Sequence, residues 1–266
     1  MSTDGYVQGT RIGTFSTALG DDALFARRID VEEGISELFT FRVEAISADE
    51  DVDFDAAIGR NATFSAKTPR GMERHFDGIV TEAEWIGRYD DNHLYRLLMR
   101  PWLWLLSKTS DCRIFHDKTV VEIISEVMGA YPFADFDDAL SQQYPKVEYT
   151  VQYRESDLAF VLRLMEKNGI SYFFRHEPGS HKMILCDGQA SFDEARGSAR
   201  PWIERLDRMQ ADEEYLFHWV RQRRFTSGEV TNTSYNFKTP DADMRSTARG
   251  LMGYANNDLE VYDYPG

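Results

Sequence analysis

The sequence is poor in cysteine, holding only Cys112 and Cys186 among 266 residues. A small secreted scaffold stapled by disulfides would carry more of them at closer spacing, so such a framework is excluded and two buried free thiols are expected. Long apolar runs are missing as well. No stretch reaches the ~18 consecutive apolar residues of a membrane-spanning helix, so no stable membrane insertion is expected. The segment from Met1 to Arg11 lacks a basic region leading into an apolar one, and therefore does not read as a signal peptide. Positive charge is also scarce. Thirty Lys and Arg face 45 Asp and Glu, and the formal charge of −15 repels a phosphate backbone, which argues against nucleic acid as a partner.

Reactive signatures are absent in the same way. There is no Gly-x-Ser-x-Gly elbow, no HExxH or CxxC spacing and no phosphate-binding glycine loop. His176 and His181 flank a predicted turn, with Glu177 and Asp187 nearby as conceivable donors. A metal would need a third convergent ligand, so exposed hairpin residues are the expected reading. His75, His93, His116 and His218 are scattered singly. A glycosidase needs two carboxylates about 5–10 Å apart, and 45 acids satisfy that by abundance alone, so abundance is no evidence. The acidic stretch from Asp49 to Asp55 lacks the Gly and Glu positions of an EF-hand loop and reads as a solvated loop entering a short helical turn near Ala56. No catalytic residue, metal or cofactor is assigned.

What is present is a large apolar fraction, 42%, with 13% aromatics, enough for a sizeable core. Phe39, Phe41, Val43 and Ala45 alternate with polar residues, as do Ala62, Phe64 and Ala66, the period of a half-buried strand. A turn is expected at Thr68-Pro69-Arg70-Gly71. Extended runs over 74–85 and 93–98 follow, joined by a polar segment from Gly87 to Asn92. The period then changes. Val120, Ile123, Ile124, Val127 and Met128 make a helical stripe, with Thr119 and Glu122 as a capping box. A second helix starts at Ser156 or Asp157, buries Leu158, Val161, Leu162 and Met165, and stops at Asn168-Gly169. Residues 170–175 and 182–186 read as a hairpin around Pro178-Gly179. In the last third Tyr215, Phe217 and Trp219 alternate, as do Tyr235 and Phe237. A helix is expected from Arg245 to Met252, and the charged stretch from Glu204 to Glu214 is a candidate linker. Most of the five tryptophans are expected in the core.

Several of these segments together resemble one family. Tyr153-Arg154-Glu155-Ser156-Asp157-Leu158 and Phe160 run into Arg163-Leu164-Met165-Glu166, then Gly169-Ile170 and Tyr172-Phe173-Phe174. This closely resembles the signature of VgrG, the spike protein of type VI secretion. Phe76-Asp77-Gly78-Ile79-Val80, residues 101–106, Asp111-Cys112-Arg113-Ile114-Phe115, Trp219, Tyr235-Asn236-Phe237 and Tyr262-Asp263-Tyr264-Pro265-Gly266 follow in family order. Ser234, where an acidic residue is expected, and Cys112, where a small polar one is commoner, depart from the pattern.

The resemblance implies an α+β, phage tail hub-like fold: two small β-barrels joined by an α+β insert. The corresponding boundaries are a first barrel over 1–110, an insert with two helices and a hairpin over 111–200, and a second β domain over 201–266. That last domain would be partly completed by earlier strands and followed by an oligonucleotide-binding-type barrel. The implied role is structural, a homotrimer seated on the hexameric Hcp tube, with a PAAR-type tip protein and effectors attached through more C-terminal parts. Assembly would occur in the cytoplasm, with export through the type VI apparatus. A phage or phage-like tail hub is the alternative, and a spike-borne hydrolase a more distant one. The motif residues are read as structural. Glu155 and Asp157 in particular are explained by capping and the helix dipole.

Overall fold

The computed structural model describes residues 13–20, 22–67, 73–192, 200–204, 215–251 and 253–264. It divides into two compact units, Met1–Ala199 with Gln210–Glu213, and Arg200–Met209 with Glu214–Gly266. The turn expected at 68–71 and the linker beyond Glu204 lie outside the described residues.

The first unit is built on a six-stranded antiparallel sheet. Its strands are β1 (Gly13–Ser16), β2 (Phe25–Glu32), β3 (Thr40–Ser47), β4 (Asn61–Lys67), β5 (Glu73–Tyr89) and β6 (Asn92–Arg100), in the order β1-β4-β5-β6-β3-β2. The edge strands β1 and β2 approach one another, so the sheet curls into a half-barrel. Period-two alternation sets the inner face: Phe41, Val43 and Ala45 of β3 meet Tyr95, Leu97 and Met99 of β6, all buried. On the outer face Arg96 pairs with Glu44 and Glu84, and Arg100 with Glu82. The segment from Gly87 to Asn92 is not the expected loop. Strand β5 continues to Tyr89, and only Asp90 and Asp91 turn the chain. A bulge at Gly87, with φ of +131°, gives the long hairpin its extra twist.

Between β3 and β4 the acidic stretch ends in the short helix α1 (Phe54–Ala57), whose N-cap Asp53 accepts from the Ala56 amide. After β6 come the short helix α2 (Trp102–Leu105) and a single 3-10 turn. Then follow β7 (Ser110–Thr119), α3 (Val120–Gly129), β8 (Phe136–Ala139), β9 (Lys146–Ser156), α4 (Asp157–Lys167), β10 (Ser171–Glu177) and β11 (Ser180–Cys186). Strands β7 and β9 form a two-stranded ribbon, and β11 lies between β10 and β8. The α3 stripe is buried as its spacing predicts, and the Thr119–Glu122 capping box is closed in both directions. The phase of α4 differs. Asp157, Phe160, Val161, Leu164 and Met165 are buried, while Leu158 and Leu162 are half-buried at the edge of the stripe.

The second unit holds a three-stranded sheet with β12 (Glu229–Asn232) between β13 (Ser246–Arg249) and β14 (Glu260–Asp263). The helix expected over 245–252 is therefore replaced by a strand as far as Arg249, and Met252 lies outside the described residues. Tyr215, Phe217 and Trp219 run through irregular backbone, apart from a bridge between Trp202 and Leu216. Tyr235 and Phe237 lead into a turn. Alternation misled here because it reports a covered sheet face, and the rings of Phe217, Trp219, Tyr235 and Phe237 stay exposed. Gly228 is needed where it stands: a Cβ there would lie 1.7 Å from the Asn257 carbonyl oxygen.

Candidate functional site

Two polar centres organise the first unit. One joins the six-stranded sheet to the β10–β11 hairpin. Asp77, on the inner side of β5, is fully buried. Its Oδ1 accepts from Asn61 Nδ2 at 2.7 Å and from His181 Nδ1 at 2.8 Å, and its Oδ2 accepts from Thr63 Oγ1 at 2.7 Å. On the other side of the imidazole, His181 Nε2 accepts the Trp102 backbone N–H at 2.8 Å. These partners fix the tautomer, with the proton on Nδ1. Burial is the main influence on His181 and holds its pKa below the usual imidazole value, against the opposing pull of Asp77. Thr63 Oγ1 also accepts the Gly179 N–H at 2.9 Å, tying in the hairpin turn.

His176 lies opposite His181 on β10, with the ring centroids 6.2 Å apart. Its Nε2 is 3.1 Å from Glu33 Oε1, and its Nδ1 is 3.0 Å from the Asp77 carbonyl oxygen. Phe39 and Phe41 pack against the His176 ring, and Phe39 and Phe174 against His181. A small cleft of about 280 Å³ opens beside this joint, lined by Glu33, Glu73, Arg74, His75, Phe76 and His176 with Phe174. The expectation of two exposed hairpin histidines is thus corrected, since His181 is buried and His176 nearly so at its side chain. The cause is the docking of the hairpin onto the sheet, which its local sequence does not record. Among the described residues no group of three or more His, Cys, Asp or Glu is arranged to hold a metal ion.

The second centre explains the 153–174 motif. Tyr153 is exposed on the β9 ribbon face. Arg154 takes a left-handed conformation, φ +52°, and is the extra residue of a bulge between the β7 partners Asp111 and Cys112. The bulge redirects the chain so that Ser156 caps α4, accepting from the Ala159 amide at 3.1 Å. Glu155, two residues before α4, pairs with Arg163 nearly two turns into the helix. Asp157 is the acidic residue in the first turn of α4, where the helix dipole favours it, and it serves a second end as well. Its Oδ1 accepts from Arg113 Nη2 at 2.6 Å and Gln152 Nε2 at 2.7 Å, and its Oδ2 accepts from the Tyr131 hydroxyl. Burial alone would raise its pKa, but the bonds from Gln152 and Tyr131 and the Arg113 charge outweigh that and hold the carboxyl below its ordinary value. Leu158 is half-buried, Phe160, Leu164 and Met165 are buried, and Glu166 is exposed. Gly169, φ +67°, ends the helix, and Ile170, Tyr172 and Phe174 enter the core while Phe173 stays at its margin.

Chemically, both centres hold elements together. Both His181 nitrogens and both Asp77 oxygens are occupied, and the Thr63 hydroxyl both donates and accepts. Of the two thiols, Cys186 is buried and Cys112 is exposed rather than buried as expected, because it sits on the solvent side of the ribbon beside Tyr153. Trp102 is in the core, but Trp85, Trp202 and Trp219 are exposed. The functional partners that the spacing of the sequence concealed are Asp77, Thr63, Tyr131 and Gln152. The one available signal was an acid, Asp77, inside an otherwise apolar strand run.

The model of the phage tail baseplate hub (GPD) family matches residues 32–266. The chain belongs to this family. The hub chain is 35% identical to the type VI secretion system spike protein VgrG1b of Pseudomonas aeruginosa, over 97% of its own length and 35% of that protein's. With VgrG1a of the same organism it shares 34% identity over 98% of its length and 40% of the relative's. It thus spans well under half the length of these curated relatives, which are spike proteins by name. Solved structures agree in fold. A tail protein from Neisseria meningitidis superposes with a TM-score of 0.58 at 12% identity, covering 96% of this chain and 72% of that one. An E. coli type VI secretion component, described as similar to T4 bacteriophage tail proteins, gives 0.55 at 22% identity, covering 64% and 50%. The resemblance to VgrG and to tail hubs is therefore a family relationship, and the fold is mostly β with helices set against a half-barrel sheet.

Proposed function

We propose that this chain is the hub portion of a type VI secretion spike. In this reading it assembles as a homotrimer, seats on the hexameric Hcp tube and delivers effectors without catalysing a reaction. The observation that carries it is the pairing of family membership with 34–35% identity to several spike proteins over nearly the whole chain. The Neisseria meningitidis tail protein of similar fold shares far less sequence, 12%, which favours a secretion spike over a phage tail. A second barrel, begun by β12–β14 and partly completed by other strands, belongs to the same proposal, with the division at 1–110, 111–200 and 201–266. So do the structural role of the 153–174 motif, the tip protein and effectors reached through other parts of a longer protein, and export through the apparatus from the cytoplasm. Three copies with two barrels each would present pseudo-sixfold surfaces to a hexameric tube, a matter of shape rather than reactivity. Sedimentation of the protein alone and mixed with Hcp hexamers tests it: a trimer that co-sediments with the tube is expected. A stable dimer, or a trimer that ignores the tube, would refute the reading.

A further inference from the structure

The buried joint contains a group whose protonation its surroundings do not accommodate. His181 sits with Nδ1–H on Asp77 and with Nε2 receiving the Trp102 N–H at 2.8 Å. A second proton could go only onto Nε2, where it would face that amide hydrogen across a hydrogen-bond distance. The Trp102 amide would lose its acceptor inside the core, and an unmatched buried donor is costly. The three elements that meet there are β5 through Asp77, the hairpin through His181, and the start of α2 through Trp102.

We propose that this circuit is an acid-released latch: neutral His181 holds the β10–β11 hairpin and the start of α2 onto the six-stranded sheet, and protonation of its Nε2 lets them part. The surrounding charges act in both directions. Asp77 on β5, and Asp135 just before β8, favour the imidazolium, whereas burial and His176 on β10 oppose it. Lys182, next in β11, is itself held by Asp135 and Asp137. His176 differs from its neighbour: its Nε2 faces Glu33 Oε1, while its Nδ1 is within reach of both the Asp77 carbonyl oxygen at 3.0 Å and the Asp77 N–H, which donates to it at 3.3 Å.

The latch opens a defined part of the molecule, which makes it distinguishable from general acid unfolding. Helix α3 lies elsewhere in the same core, capped by its own box, and serves as the internal reference. Amide hydrogen exchange of the whole chain, corrected for the intrinsic pH dependence of exchange, is to be followed from pH 7.5 to 5. The Trp102 amide and the hairpin amides should lose protection about tenfold relative to α3. In His181→Gln, whose side-chain oxygen can still accept from Trp102 but cannot titrate, that loss should vanish. If that variant does not fold, Asp77→Asn supplies the second arm: without the carboxylate the imidazolium is harder to form in the closed state but no harder in the opened one, so the acid-dependent loss of protection should grow and continue to lower pH. Equal loss in hairpin and α3, an unchanged loss in His181→Gln, or an acid-dependent loss in Asp77→Asn smaller than in the wild type would each overturn the latch.

Discussion

At the scale of single residues, stability rests on a few carboxylates that the fold takes out of water and then satisfies. Asp157 is the clearest, with its side chain 5% exposed and three donors upon it. Removing one member of such a buried set strands the others, at about 3–5 kcal/mol. Asp157→Ala is therefore expected to lower the unfolding free energy read from urea denaturation by an amount within that range, whereas Glu155→Ala, at a partly exposed pair, should cost about 1 kcal/mol or less. The pH dependence follows from the sign of the shift. The folded carboxyl titrates below its unfolded value of 3.8, so its contribution is complete above that pH and lost as pH falls through the lower folded value. Asp187 behaves alike. Desolvation, which raises it, is overcome by the Ser141 and Gln142 amides and the Ser141 and Tyr144 hydroxyls, which bring it down to about 2. Denaturation of the wild-type protein between pH 5 and 2 should thus show stability falling below about pH 4, with a shallower fall in Asp157→Ala.

At the scale of elements, the two helices show how far periodicity reaches. For α3 every apolar position at helical spacing is buried, because the stripe is bounded by polar residues on both sides. For α4 the apolar residues 158, 160, 161, 162, 164 and 165 cover more than one face, and spacing alone permits two phases. The chosen phase puts Phe160 and Leu164 inward, since Asp157 must turn toward Arg113 and Phe160 stacks on Phe115 at 5.6 Å. Truncation distinguishes the positions. Phe160→Ala should cost ~3–5 kcal/mol by chemical denaturation, while Leu162→Ala, half-buried at the stripe's edge, should fall below the ~2 kcal/mol of a fully buried leucine. Comparable losses at both would mean the helix is rotated from the phase described.

At the scale of the whole molecule, charge and exposed apolar surface pull against each other. Each chain carries −15, so proposed trimers repel themselves at low ionic strength. The second unit displays Phe217, Trp219, Tyr235, Phe237, Tyr262 and others to solvent, surface that association would cover. Association also has to overcome several kcal/mol of lost translational and rotational freedom. A monomer–trimer equilibrium is expected, moving toward trimer with concentration and with moderate salt, which screens charges over about 8–10 Å. Light scattering over a concentration series at two ionic strengths reads this directly; a trimer fraction that falls as salt rises would contradict the electrostatic part.

The sequence by itself determined what depends on near neighbours and on composition. The alternation of Phe41, Val43 and Ala45 specified a strand face, Thr119 with Glu122 a helix start, and Pro178-Gly179 a two-residue hairpin turn. The ordered motif from Tyr153 to Phe174 carried the family. Only the tertiary structure decided what depends on distant contacts: that His181 is buried, that Asp157 answers Arg113 from 44 residues away, and that 246–249 pairs as a strand instead of coiling as a helix. The reason is common to all three. Local pattern sets which conformations are cheap, but the burial of a polar group, or the choice between a strand and a helix for a short exposed segment, is set by the partner that docks on it. That partner lies elsewhere in the chain, at a separation no period of two or 3.6 residues records.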